Sequence, residues 1–284
     1  RSHAAALEPA TYREGIQVVG KPLERRGVQG RAAITGVGLL SPIGNDHDEI
    51  LDALRRARHG LSAITLFDAS HFRTSIGGQV RDFRPESRLT KRELEEYEDD
   101  YLRYGIWSAR RAIADAGLAW KVGEVRRDVA LVLGTCNGGL RSAEAEYAWK
   151  HGKARRAFDE KMNLQAQYYG FGKALAAALG IGGECWVVVT ACSAATNALG
   201  IARMLVSEGY YSTVLVGASD TMCVSNVAGF DGLKATSTER AAPFSLPVGL
   251  NVGEGACFWV VEDMQQALLR HARCLGTIEG HADT

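Results

Sequence analysis

The stretch Val187-Val188-Val189-Thr190-Ala191-Cys192-Ser193-Ala194-Ala195-Thr196-Asn197-Ala198-Leu199-Gly200 decides the fold. A β-branched run of strand length passes through a few small residues into a helical pattern. A strand built only of apolar residues has no solvated face, so it belongs in a sheet covered on both sides. The turn into the helix falls at Cys192. Its sulfur is expected beside the unpaired amides of a helix N-terminus, where the helix dipole favours a thiolate. A thiolate is the nucleophile that acyl transfer needs, and the small neighbours leave room for a thioester. The same position also suits an inert buried thiol.

Working outward, the pattern repeats. Ala32 to Gly38, Asp128 to Gly134, residues 212–218 and residues 256–262 read as further apolar strands, with a last strand near 275–280. Between them lie helices over Asp46 to Arg58, capped by Asn45 or Asp46, over Thr90 to Ala116, around 140–160, over 163–179, over 193–208 and over 264–273. Residues 60–90 read as a long loop, and Gly117 as a helix stop. Strands alternating with helices define an α/β domain. Residues 1–30 are poorly periodic and are expected to form an N-terminal extension, with a short strand near Val18-Val19; the domain then runs over 31–284.

The chain has 284 residues, 46% of them apolar and 23% charged, with Lys plus Arg equal to Asp plus Glu. That balance excludes a wholly disordered, collagen-like or coiled-coil protein. It gives no global reason for nucleic-acid binding. No apolar run approaches the ~20 residues of a membrane span, and no secretory signal pattern opens the chain; a cytoplasmic location is expected. The six cysteines show no Cys-x-x-Cys and no zinc-type spacing. Reduced, mostly buried thiols are expected, with no metal and no organic cofactor.

Five segments in order carry a family resemblance. Beside the Cys192 stretch stand Arg31-Ala32-Ala33-Ile34-Thr35-Gly36-Val37-Gly38 with Ser41-Pro42-Ile43-Gly44, and Phe67-Asp68 with Gly78-Gln79-Val80-Arg81-Asp82-Phe83. Gly217-Ala218-Ser219-Asp220 follows, then Pro243-Phe244-Ser245 with Gly249-Leu250-Asn251-Val252-Gly253-Glu254-Gly255-Ala256. Together they resemble the β-ketoacyl-acyl carrier protein synthases, the elongating ketosynthases of the thiolase superfamily. The resemblance implies the N-terminal half of a thiolase-like fold, with a mixed, mainly parallel sheet covered by helices. It implies that Cys192 is the catalytic nucleophile, taking an acyl chain from acyl carrier protein, and that its own N–H forms part of an oxyanion hole. Phe230, in Ala228-Gly229-Phe230-Asp231-Gly232, matches a pocket-gating, substrate-binding aromatic and equally suits a core position. The phosphopantetheine arrives on the acyl carrier protein. A homodimer, or a ketosynthase heterodimer, is the expected assembly, in fatty-acid or type II polyketide biosynthesis.

The departures are equally specific. The histidines at 3, 47, 59, 71, 151, 271 and 281 lie in no His-Gly-Thr-Gly-Thr or Gly-His-x-x-Gly-Ala-Ala setting. In the family those histidines belong to a C-terminal half, which decarboxylates malonyl-acyl carrier protein for the Claisen condensation. The chain as it stands is therefore expected to be incomplete for condensation; the alternative is a non-catalytic partner subunit acting as a scaffold. Ser245-Leu246-Pro247-Val248 stands where relatives carry acidic residues and Arg. Gly36-Val37-Gly38 imitates a dinucleotide fingerprint, but Ser41 replaces its third glycine. The acidic run from Glu93 to Asp100 reads as a solvated helix face. The basic clusters Arg55-Arg56-Arg58, Arg126-Arg127 and Lys150-Lys153-Arg155-Arg156 read as surface, or as a dock for an acidic carrier protein. Glu254, between two glycines, reads as structural. No sequence signal puts His151 or His271 near Cys192.

Overall fold

The computed structural model describes residues 30–120, 124–153, 160–244, 246 and 248–282. The extension expected over residues 1–30, with its short strand, lies outside the described residues except for Gly30. The strands are β1 (Ala32–Leu40), β2 (Leu61–Ala63), β3 (Ile76–Gly78), β4 (Val129–Gly134), β5 (Cys185–Val188), β6 (Thr213–Asp220), β7 (Gly255–Asp263) and β8 (Gly276–Thr277). The helices are α1 (His47–Arg55), α2 (Lys91–Glu96), α3 (Asp100–Asp115), α4 (Leu140–Lys150), α5 (Glu160–Ala166), α6 (Tyr168–Leu179), α7 (Ala194–Ser207), α8 (Val224–Gly232) and α9 (Met264–Leu269).

β4 shows why an all-apolar strand belongs in a two-sided layer. All six of its residues are buried. Because side chains alternate across a strand, Val129, Leu131 and Leu133 face one core with Tyr101, Ile106 and Ala109 of α3 and Phe171 and Leu175 of α6. Ala130 and Val132 face the other core, with Ala198, Ala202 and Leu205 of α7. α3 and α6 thus cover one face of the sheet and α7 the other.

Six strands form the main sheet in the order β5-β4-β6-β7-β1-β8, and β2 pairs with β3 in a separate ribbon. The sheet is mixed, as expected, but not mainly parallel. β4 runs parallel to β5 and β6, while β7 lies antiparallel to β6 and β1, and β1 antiparallel to β8. Parallel pairing is confined to the strands joined by the crossover helices α6 and α7, because a parallel pair needs a crossover. β5 forms the open edge of the sheet, and Cys185 and Val189 are exposed there. That edge is less covered than its apolar sequence implies.

Several local expectations change. The long helix over Thr90 to Ala116 is two helices, broken at Tyr97 to Asp99. Each has its own start signal: a reciprocal Thr90–Glu93 capping box for α2, and the Asp99 carboxylate capping α3. The loop over 60–90 contains the β2–β3 ribbon, and α8 had no sequence signal of its own. The acidic run is not simply solvated. Glu93 is buried and forks against Arg110; Asp99 is buried and accepts from the Ser142 amide and hydroxyl. Asp100 pairs with Arg103 and Arg141. These carboxylates fasten α2, α3 and α4 together, which sequence spacing cannot reveal. The six cysteines are free, but only Cys223 is fully buried; Cys185, Cys192 and Cys274 are exposed.

Candidate active site around Cys192

The crossing from β5 to α7 is a sharp corner. β5 ends at Val188, a short 3-10 turn spans Ala191–Ser193, and α7 begins at Ala194. Ala191 holds φ +51°, the left-handed region that a residue with a Cβ rarely enters. Such a backbone costs roughly 1–3 kcal/mol and persists only where its surroundings over-determine it. Three side chains do so here. The Ser193 hydroxyl donates to the Thr190 carbonyl at 2.8 Å. Asn197, one turn along α7 and buried, donates its amide to Thr190 Oγ1 at 3.1 Å and Ser193 Oγ at 3.3 Å. The residues flanking Cys192 are thereby tied to one another. The thiol stands exposed at the apex.

Close backbone approach sets the other side. A Cβ on Gly134, at the end of β4, would lie 2.7 Å from the carbonyl carbon and oxygen of Ala194. Glycine there lets the start of α7 rest on the sheet. The chain after β4 then wraps around Asp220, at the end of β6. The Asp220 carboxylate accepts from Thr135 Oγ1 at 2.7 Å, from the Cys136 N–H at 2.9 Å and from the Asn137 N–H at 2.7 Å. Cys136 is thus held at the C-terminal end of β4, beside the strand that leads to Cys192. Burial pushes its thiol up, and the charges of Asp220 and of a Cys192 thiolate push it further.

Glu254 anchors the glycine-rich segment. It accepts from the Val80 N–H at 2.9 Å and the Met222 N–H at 3.1 Å. Burial holds its carboxyl above the usual range, against the pull of those two donors and Arg141. Its structural reading agrees with this geometry. Phe230, on α8, is half-buried. It packs against the cluster of Met222, Val227 and Val252, as do Phe67, Phe72 and Leu250, so the Phe67-Asp68 segment and α8 share one core cluster. Phe244, Leu246 and Val248 are strongly exposed.

Among the described residues no group of His, Cys, Asp and Glu is arranged to hold a metal ion, and no helix is long and apolar enough to cross a membrane. Sequence reasoning missed Cys136, Asp220 and Asn197 as parts of this site. Asn197 carried one signal, its i+4 spacing from Ser193. It also missed His281, whose Nε2 lies 3.2 Å from Asn197 Oδ1.

The structure thus places an exposed thiol on a strained strand-to-helix corner, at the C-terminal ends of the parallel strands of an α/β protein. Residues 30–267 match the profile of the beta-ketoacyl synthase N-terminal domain. The chain belongs to the beta-ketoacyl synthase family. It is 30% identical over 264 residues to 3-oxoacyl-[acyl-carrier-protein] synthase 2 of Synechocystis, covering 89% of this chain and 62% of that protein. It is 30% identical over 266 residues to putative polyketide beta-ketoacyl synthase 1 of Streptomyces cyaneus, covering 89% and 63%. Among solved structures, the ishigamide ketosynthase/chain length factor superposes with a TM-score of 0.81 at 26% identity, over 89% of this chain and 63% of that one. A type II polyketide synthase acyl-carrier protein in complex with its ketosynthase shares the fold, with a TM-score of 0.75 at 21% identity over 89% and 62%. The fold is thiolase-like. The chain spans a little under two thirds of the length of these relatives.

Proposed function

We propose that this chain is the acyl-accepting part of a β-ketoacyl-acyl carrier protein synthase, with Cys192 as its nucleophile. The observation that carries this reading is the Cys192 corner: an exposed thiol held by a left-handed Ala191 and a Thr190–Ser193–Asn197 clamp. The Cys192 thiolate attacks the thioester carbonyl of an acyl group on acyl carrier protein. The tetrahedral oxyanion is met by the Cys192 N–H; the next two N–H groups, of Ser193 and Ala194, are already spent on the Thr190 and Ala191 carbonyls. The carrier's phosphopantetheine thiolate leaves and takes up a proton, and the acyl group remains on Cys192. An oxyanion donor is worth about 10²- to 10³-fold in rate.

Decarboxylative condensation with malonyl-acyl carrier protein belongs to the same proposal. It calls for a histidine-bearing half, for which the relatives' greater length leaves room. Phe230 is the substrate-facing aromatic of this reading, and an acyl carrier protein, a paired ketosynthase subunit and a cytoplasmic location go with it. No resident cofactor or metal enters the scheme. The second reading is a scaffold subunit of a ketosynthase heterodimer, favoured by the likeness to a ketosynthase/chain length factor structure. Intact-mass spectrometry after incubation with an acyl thioester separates the two. An acyl increment mapped to Cys192 and lost in Cys192→Ala is the expected result. Acylation that persists in Cys192→Ala rejects the nucleophile, and a wild-type chain that takes no acyl group favours the scaffold.

A further inference from the structure

Resting on the acyl-transfer reading above, the geometry points to His281 as a positioning residue for the Cys192 corner, acting through Asn197. Hydrogen-bond bookkeeping fixes the direction of each link. The Ser193 hydroxyl spends its one proton on the Thr190 carbonyl, so towards Asn197 it accepts. Asn197 therefore turns its NH₂ to Ser193 and Thr190 and its Oδ1 to His281. An acceptor at 3.2 Å requires the proton on Nε2, so His281 donates. That donor holds the oxygen end of Asn197 while its NH₂ faces Thr190 and Ser193.

The imidazole is seated as well as bonded. A Cβ on Gly200 would lie 2.3 Å from His281 Cγ, so the ring occupies a notch in α7 that only glycine provides. The segment that carries His281 is itself fastened to α7. Arg203 donates from Nε to the Ile278 carbonyl at 3.0 Å and from Nη2 to the Glu279 carbonyl at 3.1 Å. β8 and the stretch after it thus bring a histidine from 89 positions downstream of Cys192 onto the helix that presents the thiol. His281 lies two hydrogen bonds from each residue that flanks the nucleophile's turn. It touches neither thiol nor substrate; it holds the residue that holds the corner.

The test compares two substitutions that separate packing from hydrogen bonding. His281→Phe keeps a ring in the Gly200 notch and removes the donor, whereas His281→Gln keeps a donor and removes the ring. Two readouts are taken in the intact protein: acylation of Cys192 by hexanoyl-N-acetylcysteamine, and its alkylation by iodoacetamide, each mapped to the Cys192 peptide. His281→Phe is expected to slow both about three- to tenfold, the size of one net hydrogen bond. The loss falls on the acylation rate constant rather than on KM, the melting temperature is unchanged, and His281→Gln restores the rate. Asn197→Ala should slow both at least as much, and adding His281→Phe to it should add nothing further, because His281 acts only through Asn197. Wild-type rates in His281→Phe, or equal losses in Phe and Gln, overturn the proposal. If His281→Phe does not fold, Gly200→Ala serves instead: it displaces the ring without altering any hydrogen-bonding side chain, and wild-type rates there overturn the proposal equally. A protein that takes no acyl group, yet shows the alkylation pattern, sinks the acyl-transfer reading and leaves the positioning role standing.

Discussion

At the scale of single residues, the carboxylates of the site bind mainly backbone N–H groups, whereas its amide, Asn197, binds side chains. Glu254 uses one oxygen for Val80 and the other for Met222, joining the β3 end, the β6 end and the glycine-rich segment. Glu254→Gln keeps the volume but sets an NH₂ group against one of those N–H donors. The expected cost is about 1–3 kcal/mol, the price of one unsatisfied buried donor. Chemical denaturation checks it through a lower midpoint at constant m. Asp220 does the same work for Thr135, Cys136 and Asn137. None of these partners lies within 30 residues of its carboxylate in sequence.

At the scale of elements, the decisive contact is the seat of α7 on β4. Gly134→Ala drives a methyl group into the Ala194 carbonyl and must lift the helix start, taking Cys192 with it. We expect a loss of about 1–3 kcal/mol together with slower Cys192 alkylation. A variant of wild-type stability and reactivity would show that the corner does not depend on this seat. The α2–α3 joint carries a pH dependence. Burial works to raise the Glu93 carboxyl, but the Arg110 fork and the Thr90 N–H outweigh it and hold it below its ordinary value. A depressed carboxylate contributes stability that is present above the unfolded value, near 4.3, and lost as pH falls through the folded one. Glu93→Gln is therefore expected to lower the melting temperature at pH 7 and to change it little near pH 3. An equal shift at both values would show that the pair contributes no charge-dependent stability.

At the scale of the whole molecule, β5 is left at the edge of the sheet. Leu131 N–H donates to the Glu184 carbonyl and Thr135 N–H to the Val188 carbonyl. These even-numbered positions face β4, so Cys185 and Val187 turn their backbone groups outward. Open edges of this kind invite pairing with another chain. A dimer formed across this edge places the two Cys192 corners near the interface. Val187→Pro removes an outward N–H without breaking the β4 ladder. If this edge is the pairing surface, sedimentation is expected to show a dimer for the wild-type protein and a folded monomer for the variant. A dimer that survives the substitution must use another surface.

The sequence alone carried the α/β class, the strand-to-helix position of Cys192, a helix cap at Asn45 or Asp46 and the family. Each of these is local, written in a few adjacent residues through periodicity, capping chemistry or an ordered motif. It could not carry the balance of parallel and antiparallel pairing, because register depends on which strands meet. Nor could it show that Glu93 and Asp99 are buried fasteners rather than a solvated face. Spacing within a helix says which face a residue occupies, not what packs against that face. The same limit hid the surroundings of Cys192. Cys136, Asp220 and His281 lie 56, 28 and 89 positions from Cys192, and only the sheet order and the seat of α7 bring them to one corner. Chain connectivity determined where Cys192 stands; the tertiary structure decided what holds it there.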